Sequence, residues 1–327
     1  MPRHSNNQRP GQDGVPLLIN FQNTNILFML RRLIYLLLVT VIPVIIYSQN
    51  NFSLAQLRQV IADTLASQKG IFAVAFKDLR SGDTLYINEH DSFHAASTMK
   101  TPVMIEIFRQ AAKGKFSLSD SLIIKNEFRS VADSSFFNLD SADDSEHEIY
   151  KHIGEKRSIS ELMYQMIILS SNFATNLLID LVNARNVTET LRGFGAKNMI
   201  VLRGVEDQKA FDRGLNNTTT AYDLMVLFEH IARGKAVSKK ASAAMIKILL
   251  DQQFNDIIPA NLPSDVKVAH KTGFISGLHH DSGIVFLLDG RKYVLVILSR
   301  NLADEKSAVK VMASVSAMIY AWVARKK

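Results

Sequence analysis

Apolar residues recur along this chain in two rhythms, and the rhythms alternate in blocks. Leu54, Leu57, Val60, Ile61 and Leu65 fall at helical spacing, so an amphipathic helix ends before Gly70. Ile71 to Lys77 predicts a strand, Arg80-Ser81-Gly82-Asp83 a turn, and Thr84 to Ile87 the hairpin partner. From Thr98 to Lys113 the spacing is helical again, closed by Gly114. Residues 117–150 are polar, rich in Asp and Ser and without a period, which predicts loops with short helical pieces. Helices are predicted at Ser160–Leu169, Asn172–Val182 and Thr188–Phe194, followed by an irregular stretch from Gly195 to Asn217. Two more are predicted at Thr219–Arg233 and Ser238–Leu250. Strands follow at Val266–Thr272, Asp281–Leu288 and Lys292–Ser299, the last two joined by the hairpin dipeptide Asp289-Gly290. Glu305 to Val323 predicts a closing helix. Strands thus sit at both ends and helices fill the middle. The economical fold is α/β of the α+β kind: an antiparallel sheet formed by N- and C-terminal segments, flanked by helices, plus an inserted all-helical subdomain. The sheet subdomain would take in residues of about 53–90 and 260–325, and the helical subdomain about 97–255. No internal repeat or low-complexity tract interrupts this order.

The first 48 residues follow a different rule. A polar stretch leads to Arg31-Arg32, then an apolar run from Leu33 to Ile46, then Tyr47-Ser48. Charge, short apolar run and small residue is the order of a secretory signal. The run is about 14 residues, short of the roughly 20 that cross a bilayer. Export to the periplasm or outside is therefore expected, with cleavage after Ser48 and an uncleaved membrane anchor as the alternative. Met29 would give a signal of ordinary length as a start. The hydrolase domain would then run from 49 to 327.

Composition narrows the chemistry. The chain has 327 residues, 47% apolar and 21% charged, which suits one large globular domain. It has no cysteine, which removes disulfides, thiolate catalysis and Cys-ligated zinc. The formal charge is +7, of which Arg3, Arg9, Arg31 and Arg32 against Asp13 account for +3. A mild surplus with no Lys/Arg stripe argues against a nucleic-acid partner. His279-His280-Asp281 tempts a metal reading, but neighbours on a strand point to opposite faces. No metal or cofactor is implied, and a monomer is expected. His270 would pack or cap away from its neighbour Lys271. Gly195 and Gly204 look like loop hinges, and Trp322 a core residue.

Three short motifs carry the chemistry. In Ser97-Thr98-Met99-Lys100 a helical spacing puts Ser97 and Lys100 on one face, where the lysine reaches the hydroxyl. A serine hydroxyl is a weak nucleophile without a nearby base, and a desolvated lysine supplies one. The helix start adds backbone N–H groups for an oxyanion. Lys271-Thr272-Gly273 falls at a strand end, where the cation and hydroxyl would hold a carboxylate. The glycine admits a close approach of substrate backbone. Ser170-Ser171-Asn172 falls between two helices; Ser170 either passes a proton to a leaving nitrogen or caps the following helix.

Taken together and in this order, the three motifs resemble the signature of class A β-lactamases within the serine β-lactamase and penicillin-binding superfamily. The stretch Leu169-Ser170-Ser171-Asn172-Phe173-Ala174-Thr175-Asn176-Leu177-Leu178 and the segment Asn217-Thr218-Thr219-Thr220 are similar to that family too. The resemblance runs through most of residues 53–325. It implies a β-lactam hydrolase working through a serine acyl-enzyme. Ser97 would be the acylated nucleophile, Lys100 its proton-transfer partner and Ser170 the relay to the leaving nitrogen. Asn172 would contact the substrate side-chain amide, while Lys271 and Thr272, with Gly273, would bind the substrate carboxylate. The N–H groups of Ser97 and Phe274 would form the oxyanion hole. Glu206, on an irregular loop, would activate the deacylating water, with Asp207 as substitute, and Arg203 resembles the arginine that braces that loop. The substrate is then a small β-lactam or a peptidoglycan-like peptide. A D-alanyl-D-alanine peptidase is the alternative, and a non-catalytic sensor domain a third reading.

Three departures from the pattern stand out. Ser171 replaces the family's usual Asp. Two residues rather than one separate Arg203 from Glu206. Asn217 stands where the bracing aspartate belongs. The loop is therefore expected to be rebuilt.

Overall fold

The computed structural model describes residues 52–326. The proposed export segment lies outside the described residues.

Helix α1 (Leu54–Ala66) starts on a capping box: Ser53 Oγ accepts from the Gln56 N–H at 3.2 Å and Gln56 Oε1 accepts from the Ser53 N–H at 2.8 Å. Strands β1 (Ile71–Asp78) and β2 (Thr84–Ile87) form the expected hairpin. The short β3 (Phe93–His94) leads into a 3₁₀ turn at Ala96–Met99 and then α2 (Lys100–Ala112). Segment 117–150 is less featureless than its sequence predicts. Besides two 3₁₀ turns, Ser141–Asp143 and Glu148–His152, it carries β4 (Ser121–Ile123), β5 (Phe128–Arg129) and β6 (Phe136–Phe137). Strand β4 pairs β7 (Lys156–Ser158), and β5 pairs β6. Strands of two or three residues are too short to establish a period of two, so the pattern could not announce them.

Helices α3 (Ile159–Ile168) and α4 (Asn172–Val182) follow as predicted. Helix α5 (Ala184–Phe194) begins four residues earlier than expected, capped by Asn183, whose Oδ1 accepts from the Arg185 N–H at 2.9 Å. Its polar first turn hid it. A short α6 (Gln208–Asp212) and β8 (Thr218–Thr219) lie inside the stretch read as irregular. Then come α7 (Ala221–Ala232), α8 (Lys239–Leu250), β9 (Lys267–Ile275), β10 (Leu278–Phe286), β11 (Lys292–Arg300) and α9 (Glu305–Arg325).

The five long strands make one antiparallel sheet in the order β2-β1-β11-β10-β9, so N- and C-terminal segments build it jointly. Both faces are covered. Ala73, Ala75, Val294, Val296, Leu298 and Ala269 face a core shared with the middle helices. Phe72, Val74, Phe76, Tyr293, Leu295 and Ile297 face a second core under α1 and α9. Strand β1 thus alternates small residues towards the helices with large ones towards α1 and α9, which a plain apolar-polar pattern conceals. Helix α9 is long and apolar enough to cross a membrane by length and composition. Its Met312, Val315, Ile319 and Val323 are instead buried against the sheet. Strand β9 is the edge of the sheet, and its free side meets the turn that carries Ser97.

Candidate active site

The chain brings the three motifs together at the β9 edge. The β3–β8 ladder pairs Phe93 with Thr219 and His94 with Thr218, so the Thr-rich segment fixes the chain just before the serine. The Ala95 N–H donates to Asn217 O at 2.8 Å from the same segment. Gly273 closes the junction from the other side. A Cβ built there would lie 3.2 Å from Ser97 N, Ala96 Cβ and Thr98 Cγ2. The approach that this glycine admits is therefore that of the serine's own turn.

Lys100 and Lys271 are both fully buried, and one hydroxyl joins them. Ser170 Oγ accepts from Lys100 Nζ at 3.2 Å and from Lys271 Nζ at 3.0 Å. Lys100 Nζ also donates to Ser170 O at 2.5 Å and to Asn172 Oδ1 at 2.8 Å. Lys271 Nζ donates to Thr272 O at 2.9 Å. The Lys100 contact expected at Ser97 Oγ is not formed. Among the described residues no hydrogen bond joins the two, because Ser170 and Asn172 take the ammonium head instead. Burial pulls the Lys100 pKa down to about 7 against the opposing pull of Asp144 and Glu206. Burial, and then the Lys100 charge, hold Lys271 well below the ordinary ammonium range.

Ser170 does not cap α4. The cap is Ser171, whose Oγ accepts from the Ala174 N–H at 3.1 Å. That leaves Ser170 Oγ for the lysines. Ser170 stands at φ 58°, Ala96 next to the serine at φ 44°, and Glu206 at φ 59°. Left-handed backbone is uncommon for non-glycine residues and gathers at functional sites. Here it occurs in three of the segments facing the cleft.

Glu206 reaches the same centre from the loop after α5. Its Oε1 accepts from Asn172 Nδ2 at 3.0 Å, so the Asn172 amide bridges Lys100 and Glu206. Its carboxyl is open to the cleft yet walled by protein, and this loss of water, with the charge of Asp143, raises its pKa. Asp207 is not a substitute. It is buried, accepts from Ser130 Oγ at 2.8 Å and the Val131 N–H at 2.9 Å, and caps α6 through the Ala210 N–H. Both its oxygens are committed away from the cleft.

The loop is held by hydrogen bonds, and among the described residues Arg203 makes no ion pair. Arg203 donates to Leu215 O at 2.8 Å, Asn216 Oδ1 at 3.0 Å and Gly204 O at 3.2 Å. Asn217 Oδ1 accepts from the N–H groups of Leu202 and Arg203, and its Nδ2 donates to Arg203 O. Asn176 grips Val205 from both sides, at 2.7 and 3.0 Å. A Cβ on Gly204 would lie 2.2 Å from Asn176 Oδ1, so a larger residue there would have to displace that amide.

A cleft of about 340 Å³ opens over these groups, lined by Ser97, Asn172 and Glu206 and walled by Phe211, Phe274 and Ile275. The motif Lys271-Thr272-Gly273 lies inside β9 rather than at its end, because the strand continues to Ile275 and turns tightly into Leu278. That pair closes the hairpin, so the alternation of an antiparallel ladder turns the N–H of Phe274 away from β10, to the free edge. His279 does not converge with His280. Its Nε2 meets Glu305 Oε2 at 3.0 Å while Glu305 Oε1 accepts from the Gly277 N–H at 2.7 Å, which staples the hairpin tip to α9. His280 is buried, its Nδ1 facing the Ser299 N–H and its Nε2 facing His94 O at 2.9 Å. Burial pulls its pKa down to about 4. His270 is buried and pairs with Asp281 at 2.9 Å under β9, as packing rather than chemistry.

Sequence reasoning missed Asp144. It is buried in the segment read as loops, and its carboxylate accepts from the N–H groups of Asn172 and Phe173. The only signal was the Asp-rich composition around it.

A serine turn against a sheet edge, two buried lysines sharing a hydroxyl, and a carboxylate across the cleft define a serine acyl-enzyme hydrolase. The comparisons agree. Residues 56–323 match the beta-lactamase enzyme family, and the chain belongs to that family. Beta-lactamase VEB-1 of Pseudomonas aeruginosa is 22% identical over 291 residues, covering 85% of this chain and 92% of that protein. A beta-lactamase structure from Chitinophaga pinensis is 25% identical at a TM-score of 0.71, covering 82% of this chain and 99% of the other. The structure of PBP-A is also 25% identical, at a TM-score of 0.72, covering 84% of this chain and 97% of the other.

Proposed function

We propose that this protein is a class A-like serine β-lactamase that opens the β-lactam ring through an ester on Ser97. The observation that supports it best is the Asn172 amide, which accepts from Lys100 and donates to Glu206 and so links the residues read here as the acylating and deacylating bases. Lys100, readily neutral near pH 7, takes the proton of Ser97 Oγ as that oxygen attacks the ring carbonyl. The N–H groups of Ser97 and Phe274 receive the oxyanion, each such donor contributing about 3 kcal/mol in the transition state. The proton passes through Ser170 Oγ, held by both lysines, to the ring nitrogen as the C–N bond breaks. Lys271 and Thr272 hold the substrate carboxylate. Glu206 then takes a proton from water attacking the ester, its raised pKa making it the stronger base. Phe211, Phe274 and Ile275 receive the apolar part of the acyl side chain.

The charge and apolar order of residues 1–48 supports export, to the periplasm or beyond, with the hydrolase domain starting after Ser48. N-terminal sequencing of the processed protein checks that boundary.

Turnover of a chromogenic cephalosporin tests the activity. Wild type should turn over steadily. Ser97→Ala should lose both turnover and covalent labelling. Glu206→Gln should acylate once and stall, visible as a stable mass increase on Ser97. A wild type that stalls in the same way would instead behave as a penicillin-binding peptidase.

A further inference from the structure

We propose that Asp144 stands in for the carboxylate missing at Ser171: a positioning residue that holds Asn172 in place and supplies the counter-charge to Lys100. The inference rests on the Ser97 acyl-enzyme reading and adds to it a residue from outside all three motifs. In the second motif Ser171 occupies the position where the family pattern has Asp, and its hydroxyl is spent on capping α4. The missing negative charge is nevertheless present. It comes from a segment 27 residues upstream, counting from Asp144 to Ser171.

The geometry is that of a built carboxylate site. Asp144 Oδ1 and Oδ2 lie 2.9 and 3.0 Å from Asn172 N, and Oδ2 lies 2.8 Å from Phe173 N. Oδ1 also accepts from the Glu146 N–H at 3.2 Å and Oδ2 from Tyr150 OH at 3.1 Å. The two N–H groups at the start of α4 are among those that no helical carbonyl can satisfy, and a carboxylate there meets the positive end of the helix dipole. The same segment is tied down once more, where Ser145 Oγ donates to Leu169 O at 2.7 Å. Asn172 is thereby gripped at its backbone by Asp144 while its side chain serves Lys100 and Glu206.

The charge acts on the lysine as well as the helix. Lys100 is faced by Asp144 from this segment, by Glu206 from the loop after α5, and by Lys271 from β9. Asp143, Tyr150, Asp140 and, from the loop after α5, Arg203 are the further titratable groups acting around Asp144 and Glu206. Asp144 comes first among the groups that favour the protonated lysine. Without it, Lys100 would release its proton at lower pH, and Asn172 would lose its backbone anchor.

The two effects separate experimentally. Ser97 is acylated with a fluorescent penicillin across pH 5–9 in wild type, Asp144→Asn and the double variant Asp144→Asn/Ser171→Asp. The Lys100 titration is followed in the same proteins by NMR of isotope-labelled lysine. In Asp144→Asn the plateau rate should fall about tenfold or more. The acid limb and the Lys100 titration should move towards acid by roughly half to one pH unit. The double variant returns a carboxylate to the start of α4 in a good capping residue, and should recover rate, limb and titration. A plateau that falls while limb and titration stay put would reduce Asp144 to a structural cap and overturn the proposal. So would a double variant no better than the single one. If Asp144→Asn does not fold, the double variant decides alone: wild-type folding and titration support the assignment, and no recovery overturns it. A wild type that takes no label refutes the acyl-enzyme reading, whereas the lysine titration still decides the charge effect of Asp144.

Discussion

At the residue scale, the site depends on side chains that hold other side chains. Asn172 is the clearest: it touches Lys100 with its oxygen, Glu206 with its nitrogen and Asp144 with its backbone. Gly204 is the least visible. Replacing it with alanine would drive a methyl group into Asn176 Oδ1, 2.2 Å away, and break the two-way grip on Val205 beside Glu206. Gly204→Ala should therefore slow deacylation at least about tenfold and leave acylation nearly intact, because one misplaced ångström in a positioning residue costs on the order of a hundredfold. Pre-steady-state kinetics with a chromogenic cephalosporin would show a burst where wild type shows none. The resemblance pointed to Ser97, Lys100, Ser170, Asn172, Lys271 and Glu206 as site residues, and hydrogen bonds link the last five of these in the structure. Asp144 and the Ser171 cap were not legible in the sequence. An aspartate among many in a polar stretch carries no local mark of the helix end it will meet.

At the scale of elements, the β9–β10 hairpin is the site's frame. It carries Lys271, Thr272, Gly273 and Phe274, and its tip is held by Glu305 of α9. Gly283 lies opposite His270 in that ladder. A Cβ on Gly283 would come within 2.5 Å of His270 Cβ and 2.7 Å of Ala269 O. The second of these is backbone and cannot rotate away. Gly283→Ala should push β9 outwards, lowering stability by roughly 1–3 kcal/mol. Because Lys271 follows His270, penicillin acylation should weaken too, which urea unfolding and labelling together would check. The sequence showed β9 and β10 but ended β9 too soon, since Phe274 and Ile275 look like the apolar rim of a turn. They are extended because β10 supplies hydrogen-bond partners, and those partners are remote from the local pattern.

At the scale of the whole molecule, the fold buries two lysine amines beside one hydroxyl. Such burial opposes folding, and its pH dependence can be measured. The unfolded chain keeps the Lys100 proton up to the ordinary lysine range, whereas the folded protein releases it at about pH 7. Between those limits the unfolded state binds more protons, so this lysine's contribution to stability rises with pH and is least favourable at and below neutrality. Lys100→Met removes that dependence. The stability of the variant minus that of wild type should be largest near pH 7 and shrink towards about pH 10, where free lysine also loses its proton. Urea unfolding at several pH values checks this, and a difference that stays flat would deny Lys100 its depressed proton affinity. Acylation should be lost in the same variant.

Sequence by itself determined the order of the long elements, the sheet built from both ends of the chain, and the residue types that carry the chemistry. Those are set by local periodicity and by side-chain reactivity, which neighbours in the chain do not change. Tertiary structure decided which acceptor each lysine meets, which serine caps α4, that Asp207 is spent on scaffolding, and that a carboxylate from a distant loop fills the place left by Ser171. Hydrogen bonds and buried charges are settled between segments that meet only after folding, and no spacing along the chain encodes which of many polar groups will arrive.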